Sequence, residues 1–250
     1  MLAPPSLVVA DQNAAFHAVM GGAPPVVETL PLPGGDEQLA VAPVALTAVG
    51  RGRYALIIRE TNGRLPHSAV GAASVAYVER APIRETGLGW RKIGLWPQIA
   101  LNGDSGGEEL KLEVRRDLGA RPLLFVSGRT LATGDAANDA IVIRLDPESP
   151  TPIGRISLLG SNEDAVGKRF ARHSYRGRVV PTKAPDLFAV QYDGWRAAAG
   201  SAVKQRFHGT VSYRLRAGCL TATGPLPAPE VKVDYSAPSD CGPAKSAARM

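Results

Sequence analysis

The sequence predicts an all-β protein in which antiparallel strands recur along the chain with a period of about 65 residues. Three apolar runs resemble one another and open three units of similar order: residues 54–59, 122–127 and 186–191. The spacing from Ala55 to Leu123 is 68 residues, and that from Leu123 to Leu187 is 64. The 27 glycines and 21 prolines are spread along the chain, as in proteins with many turns. A regular spacing of this kind is typical of repeat architectures.

A second run follows in each unit, and in the last two units its odd-numbered positions form one apolar face. These runs cover residues 75–80, 141–146 and 211–216. In the last of them Val211 and Tyr213 are apolar, whereas Arg214 is charged. Side chains two residues apart share one face of a sheet, so the alternation favours strands over helices. Further runs follow at residues 90–95, 153–158 and 219–223, and then at residues 110–114, 176–180 and 230–234.

The first run of each unit is apolar on both faces, which predicts strands that are buried on both sides. Four antiparallel strands with a buried innermost strand are typical of a propeller blade. We therefore expect a β-propeller-like array of units at about 50–118, 119–183 and 184–250. A β-sandwich or an irregular barrel is the alternative.

Residues 1–37 are rich in proline, glycine and alanine and are expected to form an N-terminal arm. Within the arm, residues 6–10 are expected to form a strand and residues 13–20 a short helix. Residues 38–250 are expected to form a single all-β domain.

Residues 121–126 and 183–188 resemble the loose pattern of FG-GAP repeat blades, a resemblance that covers about residues 50–224. The resemblance implies a propeller. The Asp-rich calcium loop of that family is absent here, so neither membership of the family nor a calcium site is predicted.

Charge and cysteine content bear on the setting of the protein. The chain has 29 Lys and Arg against 23 Asp and Glu, a net charge of +6 that favours anionic surfaces mildly. No apolar stretch approaches the roughly 20 residues of a membrane-spanning helix. Cys219 and Cys241 form an even pair, which favours a disulfide over two free thiols. Together with a start that resembles a trimmed mature chain, this predicts a secreted or periplasmic protein, and the Ala-, Gly- and Arg-rich composition is typical of a bacterium with GC-rich DNA.

Residues 103–107, Gly-Asp-Ser-Gly-Gly, resemble the nucleophile loop of trypsin-like serine proteases and nominate Ser105 as a weak catalytic candidate. The available bases that precede it are His17 and His67, and neither has the sequence context of that family. Too little chain precedes Ser105 to build the first barrel of such a protease. A turn-rich connection without chemistry is the favoured interpretation, and no catalytic residue is predicted.

The four histidines make no short metal-binding pattern, and the carboxylates make no calcium loop. The sequence therefore predicts neither a metal site nor a cofactor.

A basic segment lies between Asp164 and Asp186, a stretch that contains no acidic residue. Cations interleaved with aromatic rings suit an anionic polymer or surface, and a solvated basic loop is the plainer alternative. The candidate binding residues are Lys168, Arg169, Phe170, Arg172, Tyr175, Arg176 and Arg178, together with Trp195.

These observations favour an exported, non-enzymatic binding protein that recognises a protein or an envelope polymer. Its recognition surface is expected in the loops between the first and second runs, at residues 61–73, 128–139 and 193–209. One alternative is an enzyme, either a serine hydrolase using Ser105 or another propeller enzyme. The other is a binder of nucleic acid or an anionic surface through residues 168–183. The partner and the oligomeric state are left open.

Overall fold

A computed structural model describes residues 9–30, 37–61, 71–83, 87–102, 110–132, 135–163, 171–183, 187–216 and 218–231. The first part of the chain forms α1 (Val9–Met20), β1 (Val26–Leu30), β2 (Glu37–Gly50), β3 (Arg53–Thr61), β4 (Gly71–Ile83) and β5 (Gly87–Asn102). The rest forms β6 (Lys111–Arg115), β7 (Leu123–Ala132), β8 (Asp135–Leu145), β9 (Pro150–Ser161), β10 (Arg172–Pro181), β11 (Leu187–Ala197), β12 (Gln205–Arg216) and β13 (Cys219–Thr223). The predicted all-β, antiparallel class is confirmed.

The strands form two antiparallel sheets, and in each sheet the strands lie side by side in chain order. The first sheet contains β1 to β5, and the second contains β6 to β13. Each sheet is thus a meander of hairpins, a topology that needs only short connections.

The first sheet is covered on both faces, as its apolar runs predict. In β3, Leu56 and Ile58 pack against α1, whereas Ile57 packs against the second sheet. The helix contributes Phe16, which is fully buried, with Ala15 and Val19 beside it. The predicted strand at residues 6–10 is wrong for Val9 and Ala10, which begin this helix, and residues 1–8 lie outside the described part.

A core between the two sheets joins β3 and β4 to β7 and β8. Two hydrogen bonds fix the turn between β8 and β9 against the first sheet: Tyr77 donates to the carbonyl of Asp146 at 2.6 Å, and Arg53 donates to the carbonyl of Pro147 at 2.9 Å. The two sheets are therefore held together by apolar packing and by these two hydrogen bonds to the backbone of the turn.

The second sheet curls into a half-barrel. Phe125 on β7 and Phe188 on β11 are four strands apart, which is about 19 Å in a flat sheet. Their ring centroids nevertheless lie 5.8 Å apart. The concave side is filled by the tyrosines of β10, β11 and β12, and Ala228 and Val231 from the segment after β13 are buried against the same core.

The predicted units correspond to the order of strands. Residues 50–118 contain β3 to β6, residues 119–183 contain β7 to β10, and residues 184–250 contain β11 to β13 among the residues described. The strands of the last two units share one continuous sheet, with β10 and β11 paired from Arg172 to Pro181. A propeller-like division into blades is thus not confirmed. Glu230 and Val231, predicted to begin a last strand, lie in a turn.

Candidate functional site

The outer face of β10, β11 and β12 gathers most of the arginines near the predicted basic segment. Tyr175, Tyr192 and Tyr213 point into the half-barrel and are at most 3% exposed. Because alternate residues of a strand face opposite sides, the residues of the other parity lie on the outside. We give the name basic face to a part of this outer surface, namely Ser174, Arg176, Arg178, Gln191, Asp193, Trp195, Arg206, His208, Thr210 and Arg214.

Strand pairing brings these residues into rows across the sheet. Arg176 lies opposite Asp193, which lies opposite His208. In the next row Ser174, Trp195 and Arg206 are aligned in the same way. These two rows line an open groove of about 560 Å³.

Positive charge exceeds negative charge on the basic face. Its one carboxylate, Asp193, accepts a hydrogen bond of 2.6 Å from His208, and both side chains are more than 70% exposed. Among the residues that the structure describes, no carboxylate forms an ion pair with the four arginines of the face: Arg176, Arg178, Arg206 and Arg214. Arg178 donates to the side-chain oxygen of Gln191 at 2.7 Å. The guanidinium groups are therefore available to an anionic ligand.

Trp195 is the aromatic residue of the basic face. The ammonium nitrogen of Lys204 lies 3.7 Å from the centroid of its ring, which is cation–π geometry. One face of the ring is thus covered by a cation, which adds a further positive charge at this edge of the groove.

The structure places the predicted binding residues in different environments. Arg176, Arg178 and Trp195 come together on the basic face. Arg172 lies at the start of β10 and donates to the carbonyl of Ser201 at 3.2 Å. Tyr175 contributes no ring to the surface, because it is 3% exposed and its hydroxyl lies 3.0 Å from that of Ser157.

The remaining predicted residues are not all described. Ser105 and the residues Lys168, Arg169 and Phe170 lie outside the described ranges. Cys219 opens β13 and is not a free thiol, while Cys241 lies beyond the described part of the chain, so the predicted pairing is not tested.

Sequence reasoning missed the contribution of β12. Arg206, His208 and Arg214 share one parity in this strand, and Val211 and Tyr213 share the other. The same alternation that predicts the strand therefore also indicates a polar outer face. The excursions predicted at residues 128–139 and 193–209 are mostly extended strand rather than loop, so the candidate surface is a sheet face.

Within the described ranges, no three His, Cys, Asp or Glu side chains lie close enough together to hold a metal ion. None of the described helices has the length and apolar character needed to cross a membrane. The chain matches no family model, no curated protein and no solved structure.

Proposed function

We propose that this protein is a non-enzymatic binding protein whose basic face holds an acidic polysaccharide. The observation that carries the proposal is the set of four arginines on one sheet face that lack carboxylate partners among the described residues, beside a single exposed carboxylate that is engaged by His208. Arginine recognises carboxylate groups through paired, charge-assisted hydrogen bonds.

The dimensions of the basic face favour a polymer over a small anion. Arg206 and Arg214 are eight residues apart on β12, which corresponds to about 27 Å along an extended strand. Arg176 and Arg178 extend the charge across to β10. A polymer whose repeating units each carry a negative charge would match an elongated, open surface of this kind.

The aromatic content favours a polysaccharide over single-stranded nucleic acid. Proteins that hold unpaired bases usually offer several exposed aromatic rings for stacking. Here Tyr175 is buried, and Lys204 covers one face of the Trp195 ring. Recognition by charge without stacking is thus the better match to the described residues.

Export belongs to the same proposal. Acidic polysaccharides are components of cell envelopes and extracellular matrices, so a periplasmic or secreted location would bring the protein to its ligand. The predicted bridge between Cys219 and Cys241 would be stable in such an oxidising compartment.

The test is a binding titration with alginate, with neutral dextran and a single-stranded oligonucleotide as comparison ligands. We expect alginate to bind, dextran not to bind, and the affinity to fall steeply as ionic strength approaches about 1 M, where the Debye length is about 3 Å. The double variant Arg176→Gln, Arg206→Gln should bind alginate about tenfold more weakly.

A matched control removes two charges elsewhere. Arg51 and Arg91 are exposed arginines of the first sheet and its turns, each paired with a glutamate. The double variant Arg51→Gln, Arg91→Gln should retain nearly the full affinity. Equal losses of affinity in the two double variants would show that only the net charge of the protein matters. Tighter binding of the oligonucleotide than of alginate would show that nucleic acid is the preferred ligand. Either result would overturn the proposal.

A further inference from the structure

A separate cavity lies at one mouth of the half-barrel, away from the basic face. It has a volume of about 210 Å³. Its walls are apolar side chains from β7, β9, β11, β12 and β13, with one residue of the segment before β7: Leu118, Leu123, Ile153, Phe188, Tyr213, Leu215 and Leu220. We call it the mouth cavity.

Among the described residues, Arg121 is the one cation at the rim of the mouth cavity that has no carboxylate partner. Arg144 and Asp146 also line it, but they neutralise each other, since the Nε of Arg144 donates to both carboxylate oxygens at 2.9 and 2.8 Å. Thr151 donates a further hydrogen bond to Asp146 at 3.3 Å. Arg121 is exposed, and the structure gives its side chain one long hydrogen bond of 3.5 Å, to the carbonyl of Val49.

Arg121 is positioned by the first sheet. Its Nη1 lies against Gly50, in the turn between β2 and β3, where an added Cβ would come within 3.3 Å of that nitrogen. The contact with Gly50 and Val49 keeps the guanidinium at the rim. The two sheets therefore build this site together, the second supplying the apolar walls and the first orienting the charge.

We propose that the mouth cavity binds a medium-chain fatty acid, with the alkyl chain in the cavity and the carboxylate on Arg121. Ligand sites are typically apolar cavities with a few polar groups that fix orientation. The volume equals that of about seven water molecules, which suits a chain with a similar number of methylene groups. The charge of Arg121, which has no carboxylate partner among the described residues, selects a negative head group.

The probe is octanoate, titrated into the whole protein by calorimetry, with hexanoate and octylamine as comparison ligands. We expect octanoate to bind at one site per chain and hexanoate to bind about tenfold more weakly, because two methylene groups fewer are buried. Octylamine, with the same number of carbon atoms and the opposite charge, should bind at least about tenfold more weakly than octanoate.

Two variants locate the site. Arg121→Gln removes an exposed side chain and should weaken octanoate about tenfold, while its affinity for octylamine should not fall. Arg176→Gln, on the basic face, should leave the octanoate affinity unchanged, which separates this proposal from the proposed function. Absence of octanoate binding, equal affinity for octylamine, or an unaltered octanoate affinity in Arg121→Gln would each overturn the proposal.

Discussion

At the scale of single residues, the half-barrel is held by tyrosines whose hydroxyls are bonded inside the core. Tyr192 donates to the carbonyl of Ser157 at 2.8 Å and lies 3.4 Å from the hydroxyl of Tyr213. The hydroxyl of Tyr175 lies 3.0 Å from that of Ser157. These bonds satisfy polar atoms that would otherwise be buried at a cost of about 1–3 kcal/mol each. They also fix the tyrosine rings on the inner surface of β10, β11 and β12, which is the side opposite to the basic face.

The buried tyrosines should make the free energy of unfolding depend on pH in alkaline solution. Burial raises the pKa of Tyr192 well above its ordinary value, and the neighbouring Tyr213 adds to the shift. Burial likewise raises the pKa of Tyr77, with Asp146 adding to the shift. In the folded state these phenols keep their protons at pH values where the unfolded chain releases them. The free energy of unfolding should therefore be insensitive to these groups below about pH 10 and fall as the pH rises above it.

Denaturant unfolding below and above about pH 10 measures the change in the free energy of unfolding. The absorbance of tyrosinate in the native protein measures the ionisation of the tyrosines in the folded state. In Tyr192→Phe the alkaline loss of stability should be smaller than in the parent protein. Native tyrosines that all ionise near the ordinary pKa would contradict the assignment.

At the scale of elements, the sequence contains enough information to place most strands. The centres of the runs 54–59 and 122–127 are apolar at consecutive positions because their strands are covered on both sides, and Ile57 and Leu124 indeed pack between the sheets. The alternation in residues 211–216 likewise predicts both a strand and its inner face. Strand identity is therefore encoded locally.

The arrangement of the strands depends on contacts that no local pattern reveals. The approach of Phe125 to Phe188 joins residues 63 positions apart and requires the sheet to curl through three intervening strands. The basic face was found only in part for the same reason, because Arg206 and Arg214 join Arg176 through pairing of β12 with β11 and of β11 with β10. Tyr175 comes one residue before Arg176 and therefore lies on the opposite face of β10. This alternation, which is visible in the sequence, could have predicted the burial of Tyr175.

Substitutions in α1 test whether this helix is docked on the first sheet. Phe16 is fully buried between α1 and the first sheet, whereas its neighbour His17 is exposed. Phe16→Ala should lower the free energy of unfolding by about 3 kcal/mol, because a large side chain is lost from a packed core. His17→Ala should change it by less than about 0.5 kcal/mol. Denaturant unfolding of both variants checks this, and similar losses would show that α1 is not docked as described.

At the scale of the whole molecule, the described elements are stacked in layers, with the apolar layers inside and the proposed binding face on the outside. Helix α1 covers the first sheet, the first sheet packs on β7 and β8, and the interior of the half-barrel separates those strands from β10 to β12. The basic face thus lies on the side of the molecule opposite to the helix. The inner layers are apolar and hold the fold, and the basic face carries arginines that form no ion pair with a described carboxylate.

The most direct test of this division is amide NMR of the protein during titration with a short alginate oligomer. We expect shift changes to concentrate on β10, β11 and β12 around Arg176, Asp193 and His208, whereas the amide signals of β3 and of helix α1 should not shift. Shift changes centred on the first sheet or on the helix, or no changes at saturating oligomer, would rule out the proposed binding face.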